Sequence, residues 1–358
     1  MNRKIAIVSS TAKIGGTEVS ALRICNLLHQ RGEEVLYIAP GAALRDEMPD
    51  IRFIPYRISR KNPAVLLRGI LQLAGIIKKE GVGIAHCQDA FSCLLLCWAK
   101  KLFHLPVRLI WHERGIGFKS YTAMAKRSKM IDVIICNSYY ERTLLIMNRC
   151  EISKMKVVYN AIEKQVPTRA REAVRSELNI QPEDFVLGCI GRLSWEKGVE
   201  FLLRAAAGSV EAIPGLKVLI VGDGEERGRL ERLAEACGIQ DRVIFTGFRR
   251  DIPDLLSAMD VYAIPSLYES FGNVTVEAMY SRVPVLASRA GGIPEVIQDG
   301  INGFLLPSAE PDQWRDRLIE VYQHRDQMAP MLERAYRDAC DRYNFDRYYD
   351  LITGIYFE

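Results

Sequence analysis

Residues 259–282 read Met259-Asp-Val-Tyr-Ala-Ile-Pro-Ser-Leu-Tyr-Glu-Ser-Phe-Gly-Asn-Val-Thr-Val-Glu-Ala-Met-Tyr-Ser-Arg282, and the fold is legible from this stretch. The apolar run Val261 to Ile264 has the length of a buried strand, Pro265 stops it, and the small and polar residues Ser266 to Gly272 form a loop. A helix then starts near Asn273. Its N-terminus presents unpaired amides and a partial positive charge, so the amides of Phe271, Gly272, Asn273, Val274 and Thr275 are expected to hold a phosphate or diphosphate. Two carboxylates flank this anion site. Glu277 lies one helical turn beyond Asn273 and Val274 on the same face, and Glu269 precedes the helix. A nucleoside diphosphate sugar has a matching layout, with ribose hydroxyls at one end, anions in the middle and sugar hydroxyls at the other. Taken singly, each glutamate is more simply a solvated surface residue.

The flanking segments repeat the same order of strand, loop and helix. Val186 to Ile190 reads as a strand, followed by Gly191-Arg192-Leu-Ser-Trp-Glu-Lys197-Gly198. Arginine offers an anion a planar fork and lysine a point charge, although two solvated loop cations are the simpler reading. Strands are expected at 217–221, 242–247 and 283–287, helices at 225–236 and from Pro311 onward, and Gly291-Gly-Ile-Pro294 enters another helix. In the first half, Lys4 to Ser9 is a strand, and Gly15, Gly16 and Thr17 lead into a helical pattern that lacks both the GxGxxG and the GxxxxGK[ST] spacing. Strands follow at 34–39, 51–55, 83–87, 107–111, 133–136 and 156–158, with helices at 63–79, 90–103, 120–130 and from Tyr139. Such alternation implies parallel sheets with helices on both faces and ligands beyond the carboxyl ends of the strands. His112 stands at one such end, just before Gly115-Ile-Gly117, and Asn137 and Ser138 stand at the next. A lone histidine is more often structural than chemical. The other four, at 29, 86, 104 and 324, have no comparable context. The pattern breaks over residues 159–171, where proline and charge accumulate.

Glu269-x7-Glu277 with Ser-Phe-Gly inside it, together with Gly-Arg192 and Lys197-Gly, resembles the signature of the retaining GT-B glycosyltransferases of family 4 (glycosyl transferases group 1). The likeness covers nearly the whole chain, strongest from Leu187 to Gly303. It implies an α/β fold of GT-B type, two Rossmann-like doubly wound domains facing a central cleft. Residues 1–165 would form the acceptor-binding domain and 166–340 the nucleotide-sugar domain, with 341–358 a helix packing back on the first. The implied activity is retaining transfer of a sugar from a nucleoside diphosphate sugar, UDP favoured, to an acceptor hydroxyl; the basic first half described below adds the expectation that the acceptor is a lipid-linked glycan of cell-surface polysaccharide synthesis. By resemblance Glu269 contacts the donor sugar and Glu277 the ribose, while Arg192 and Lys197 bind the diphosphate and stabilise it as leaving group. Gly15, Gly16 and Thr17 approach the diphosphate and sugar, His112 lies beside the reacting sugar carbon, and Phe248 and Arg249 lie near the base. The family usually shows Asn-Gly at the domain crossing, where this chain has Asn160-Ala161. No Asp-x-Asp pair occurs, so neither a metal nor a further cofactor is expected. Two rivals act on the same ligand: a nucleotide-sugar epimerase or hydrolase of GT-B fold, and a non-catalytic sugar-nucleotide-binding protein. A dinucleotide oxidoreductase is disfavoured, because no GxGxxG follows a strand.

At 358 residues, 49% hydrophobic and 26% charged, the chain suits two soluble domains of ordinary size. Its apolar runs stop short of the roughly 18 residues a membrane-spanning helix needs. Met1-Asn-Arg-Lys4 leads into a short strand instead of a signal-peptide core, so a cytoplasmic location is expected. The nine cysteines lie mostly in apolar segments without a Cys-x-x-Cys pair and read as reduced core thiols. Net charge is +4, but residues 1–167 hold 26 Lys+Arg against 13 Asp+Glu, +13, and the remainder 22 against 31, −9. A basic first half, with Lys119, Lys126, Arg127 and Lys129 clustered after His112, suits an anionic membrane surface or ligand. No nucleic-acid motif accompanies the charge. The segment Pro63–Lys79 could place Leu66, Ile70, Leu73 and Ile77 on one stripe, a pattern that a buried helix of an α/β sheet also shows.

Overall fold

The computed structural model describes residues 3–11, 16–41, 48–58, 62–114 and 118–358, and for 16–17 and 118–120 the backbone alone. The chain divides into two compact units, Met1–Tyr159 with Phe345–Glu358, and Asn160–Asn344. The expected crossing at 165/166 lies a few residues beyond the first of these divisions.

The first unit alternates β1 (Ile5–Val8), α1 (Gly16–Gln30), β2 (Val35–Ala39), β3 (Arg52–Pro55), α2 (Pro63–Glu80), β4 (Ile84–Cys87), α3 (Ala90–Phe103), β5 (Arg108–Glu113), α4 (Phe118–Ala125), β6 (Val133–Cys136), α5 (Tyr139–Met147) and β7 (Met155–Val157). Its strands pair in parallel in the order β3-β2-β1-β4-β5-β6-β7. β1, β2, β4 and β6 are buried along their whole length, as strands covered by helices on both faces must be. Helix boundaries follow local chemistry. Asn62 caps α2 by accepting from the Ala64 and Val65 amides ahead of a first-turn proline, and Asp89 caps α3 in the same way through Phe91 and Ser92. The α2 stripe is core: Ile70, Leu73 and Ile77 are buried and Leu66 packs against them. One expected helix is shorter than read. α4 stops at Ala125, where the Ser128 hydroxyl takes the Ala125 carbonyl at 2.8 Å, and only a 3-10 turn covers Ser128–Met130.

The second unit runs α6 (Arg171–Glu177), β8 (Phe185–Ile190), α7 (Val199–Ala207), β9 (Leu216–Val221), α8 (Arg227–Ala236), β10 (Val243–Gly247), α9 (Ile252–Ala258), β11 (Val261–Ile264), α10 (Asn273–Tyr280), β12 (Val285–Ser288), α11 (Ile293–Val296), β13 (Phe304–Leu306), α12 (Pro311–Gln323) and α13 (Ala329–Arg342). Its parallel sheet has the order β10-β9-β8-β11-β12-β13. The sequence gives no clear sign of β13, which is three residues long and sits at the sheet edge.

The last helix, α14 (Phe345–Phe357), belongs to the first unit. Asp346 pairs with Arg31, the Tyr349 hydroxyl donates to Glu33 at 3.0 Å, and the Arg3 guanidinium lies 4.1 Å from the Phe357 ring centre. Ile352, Ile355 and Tyr356 on the same helix are buried. All nine cysteines are free thiols, seven of them buried, as expected for core residues. Among the described residues no helix is long and apolar enough to cross a membrane.

Candidate active site

In the second unit the chain passes from β8 outward to β10 and then returns to lay β11 against the other side of β8. The loops after β8 and β11 therefore part at the carboxyl end of the sheet, the position where open α/β sheets bind ligands. Arg192 and Lys197 stand on the first loop, and Glu269, Phe271 and Gly272 on the second. Backbone contacts hold the loops in place: the Leu267 amide donates to the Glu196 carbonyl at 2.8 Å and the Gly292 amide to the Glu269 carbonyl at 2.9 Å. Close approach explains two glycines. A Cβ on Gly198 would lie 2.2 Å from the Pro265 carbonyl oxygen, and one on Gly291, at φ +58°, 1.8 Å from that of Glu269.

Lys197 Nζ meets Glu269 Oε2 at 2.6 Å, both side chains largely shielded from solvent. Arg192 is exposed, and its guanidinium has no partner among the described residues. Helix α10 begins without a side-chain cap. The Thr275 amide turns back to the Gly272 carbonyl at 3.0 Å, which removes it from the expected anion cradle. The amides of Gly272, Asn273 and Val274 keep no acceptor among the described residues. Asn273 Oδ1 accepts from Asn160 Nδ2 at 2.9 Å, and Phe271 is buried edge-on to Tyr343. Beneath the site the Tyr262 hydroxyl is buried without a partner among the described residues, as is that of Thr275. Burial pushes the Tyr262 hydroxyl well above its ordinary range, and the charges of Cys189, Glu269 and Glu277 push it further. Phe248, 70% exposed, stands free after β10. Arg249, expected beside the base, engages its guanidinium elsewhere: Nε and one terminal nitrogen donate to Asp251 at 2.8 and 2.6 Å, and the other terminal nitrogen to Glu177 at 2.7 Å.

In the first unit Gly15 lies outside the described residues, Gly16 opens α1 and Thr17 follows in its first turn. Asn137 and Ser138 have local structural roles. Ser138 caps α5 by accepting from the Glu141 amide, and the Asn137 amide donates to the Glu141 carboxylate, each at 3.1 Å. His112 is fully buried near the end of β5, with Nε2 unpartnered among the described residues. Its Nδ1 lies 3.1 Å from His86 Nε2 and 3.1 Å from an Arg114 guanidinium nitrogen. His86 Nδ1 lies 2.6 Å from the Tyr356 hydroxyl. Sequence reading passed over His86 because the signal is one of register. β4 and β5 pair His86 with Ile110, and His112, two residues on, projects from the same face of the sheet.

A family model described as glycosyl transferases group 1 matches residues 170–338, and one described as glycosyltransferase family 4 matches residues 14–166. An uncharacterized glycosyltransferase of Methanocaldococcus jannaschii is 27% identical over 96% of this chain and 94% of its own length. N-acetyl-alpha-D-glucosaminyl L-malate synthase of Bacillus anthracis is 26% identical over 100% and 97%. Among solved structures, HepE of Anabaena in complex with UDP-glucose superimposes with a TM-score of 0.87 at 23% identity, covering 98% of both chains. With each half matched by its own model and two parallel sheets of the GT-B pattern, the chain belongs to the family 4 glycosyltransferases of GT-B fold.

Proposed function

We propose that the protein transfers a sugar, with retention of anomeric configuration and without a metal ion, from a nucleoside diphosphate sugar to an acceptor hydroxyl. The observation that carries this reading is the convergence of Lys197, Glu269, Arg192 and three unclaimed amides of the α10 N-terminus where the loops after β8 and β11 part. Cations and amides aimed at a departing diphosphate stabilise its developing charge as an oxyanion hole does. The Glu269 carboxylate orients the Lys197 ammonium and faces the sugar, Glu277 takes the ribose, Gly15, Gly16 and Thr17 approach the diphosphate, and His112 faces the sugar. UDP is the favoured carrier, in keeping with the UDP-glucose complex of HepE. A thermal-shift screen over UDP-, GDP- and ADP-sugars tests the donor, since a ligand at 100 times its Kd stabilises by about 2.7 kcal/mol. NMR of the first-formed product from a donor of known α configuration tests retention, and a β product rejects it.

The acceptor in this reading is a lipid-linked glycan of cell-surface polysaccharide synthesis, met at the inner face of the cell membrane. Its support is the outer surface of the α2, α3 and α4 layer. Leu67 and Leu71 on α2 and Trp98 and Leu102 on α3 are 54%, 49%, 37% and 53% exposed. The Arg127 guanidinium lies 5.5 Å and the Lys101 ammonium 5.9 Å from the Trp98 ring centre. An exposed apolar patch with an aromatic residue and a cationic rim suits a membrane interface, where each basic residue adds about 1 kcal/mol on anionic lipid. Co-sedimentation with anionic but not neutral liposomes is expected at low salt, and replacing Lys126, Arg127 and Lys129 by Glu is expected to abolish it. Unchanged binding by that variant would leave a soluble acceptor as the better account.

A further inference from the structure

Hydrogen-bond polarity along the buried chain from α14 to β5 can be assigned from one fixed point. A guanidinium has donors and no acceptor, so the Arg114 nitrogen 3.1 Å from His112 Nδ1 donates to it. His112 Nδ1 is then a lone pair, and a neutral ring carries its proton on Nε2. The same lone pair faces His86 Nε2 at 3.1 Å, so His86 Nε2 is the donor in that contact. His86 Nδ1 is consequently an acceptor, and the Tyr356 hydroxyl 2.6 Å away donates to it. The two imidazole planes are within 6° of parallel with centroids 5.2 Å apart. Arg114 is itself held, its Nε donating to Gln88 Oε1 at 2.6 Å and its terminal nitrogen lying 3.4 Å from the Tyr348 hydroxyl. The four ring nitrogens of His86 and His112 thus have their roles set, and His112 Nε2 is buried and unpartnered among the described residues.

We propose that Tyr356, His86 and Arg114 are positioning residues that hold His112 in its Nε2–H tautomer, so that His112 meets the donor sugar as a hydrogen-bond donor and not as a base. The inference rests on the placement of His112 at the sugar in the function proposed above. In the Nε2–H tautomer His112 has no lone pair at Nε2, so that atom can donate to a sugar oxygen but cannot accept a proton. A hydrogen-bond partner on one ring nitrogen that fixes which nitrogen carries the proton is a familiar device for imidazoles that bind ligands through the other. Here the outermost partner is supplied by the last helix of the chain, so the sugar-facing atom of β5 depends on residues some 240 positions later in the sequence.

Long-range 1H–15N correlation spectra of the intact, histidine-labelled protein test the tautomer directly, the five histidines being assigned by single substitution. The expected result near neutral pH is a His112 Nδ1 of acceptor type and an Nε2 bearing the proton. His86→Gln, which keeps an N–H toward His112, is expected to retain this state. Removing both donors with His86→Leu and Arg114→Met is expected to release His112 into exchange between tautomers. Tyr356→Phe is expected to shift the His86 nitrogens and to lower UDP-glucose turnover about tenfold, the weight of one net hydrogen bond. Addition of UDP-glucose is expected to move the His112 Nε2–H proton, whereas UDP alone, lacking the sugar, leaves it in place. A wild-type His112 that is protonated on Nδ1, or on both nitrogens, overturns the proposal whatever the double variant does. UDP-glucose binding seen at other signals without movement of that proton overturns the role of His112 at the sugar while leaving the transferase reading intact. Failure of UDP-glucose to bind at all counts instead against the choice of donor, and the tautomer is then decided by the wild-type spectrum alone.

Discussion

Acid is expected to destabilise the first unit through His86 and His112. Both imidazoles are fully buried, and burial first, then the charge of Arg114, pushes each well below its ordinary value of 6.5. The folded state therefore keeps both neutral, while the unfolded chain binds a proton at each as pH falls past 6.5. A group whose folded pKa is depressed contributes stability that is fully present above its unfolded value and is lost as pH falls toward the folded one. The slope rises from half of about 1.4 kcal/mol per pH unit at pH 6.5 toward that full value below it, so each histidine loses about 1 kcal/mol and the pair roughly 2 kcal/mol between about pH 6.5 and about pH 5.5. Against a total stability of about 5–15 kcal/mol this is a large fraction. Among the groups that face the pair, burial holds the Tyr348 and Tyr356 hydroxyls above their ordinary range. At Asp254 burial raises the carboxyl, but hydrogen bonds from Arg169 and Thr168 outweigh it and hold the group at about 2, so its window opens only below the ordinary 3.8. Urea unfolding of wild type and of a His86→Gln, His112→Gln double variant, followed by tryptophan fluorescence over this pH range, isolates the effect as a difference of slopes. Trp111, buried on β5, reports on the same sheet. A double variant as acid-sensitive as wild type would show that the two rings take up protons in the folded state and refute the reasoning.

Lys197→Ala and Glu269→Gln are each expected to lower turnover by about 10²–10³ with the fold intact, as removal of one oxyanion-type donor or its orienting partner does; wild-type turnover by Lys197→Ala at saturating donor rejects its leaving-group role. Transfer is expected to survive a chelator, and loss on adding EDTA with recovery on magnesium would replace the metal-free reading. Gly291→Ala and Gly300→Ala form a matched pair, since both glycines have positive φ but a new Cβ meets the Glu269 carbonyl at 1.8 Å in the first and nothing within 4 Å in the second. Gly300→Ala is expected to cost the backbone strain alone, about 1–2 kcal/mol, with activity unchanged. Gly291→Ala is expected to cost more in thermal stability and to weaken donor binding by displacing Glu269, and equal effects of the two would reject the close approach.

The fold was legible because buried parallel strands announce themselves as short apolar runs. Val261–Ile264, Ala90–Phe103 and Val133–Cys136 match the structure to the residue, and α10 begins at Asn273 as expected. The placement of the second unit's candidate residues was legible for a related reason. Arg192, Lys197 and Glu269 stand on two loops close to their strands, so local spacing already puts them at the strand ends. What sequence could not supply was any fact that depends on register or on distant pairing. That Lys197 and Glu269 meet, that Thr275 turns its amide inward and that Arg249 is claimed by Glu177 and Asp251 all depend on tertiary placement. His86 is the sharpest case. Nothing in Ile84-Ala-His-Cys87 marks its histidine until β4 is set beside β5, and nothing in the last helix marks Tyr356 until that helix is placed in the first unit.

In the proposed mechanism the two units contribute by opposite electrostatic means. In the second unit the working groups are an ion pair, an exposed arginine and bare amides, a set whose strength lies in formal and partial charge that can turn from its resting partners to an anion. An ion pair half shielded from water costs little to hold ready, because neither charge is stranded while the site is empty. In the first unit the corresponding element is a neutral ring, fully buried, whose one useful atom is defined by a succession of hydrogen bonds running back to Tyr356. Burial there serves polarity instead of charge, since a protonated His112 would face Arg114 at 3.1 Å without compensation. A neutral donor suits a sugar hydroxyl and a cation suits a diphosphate, so each unit's physics fits the end of the donor that the proposed mechanism assigns to it.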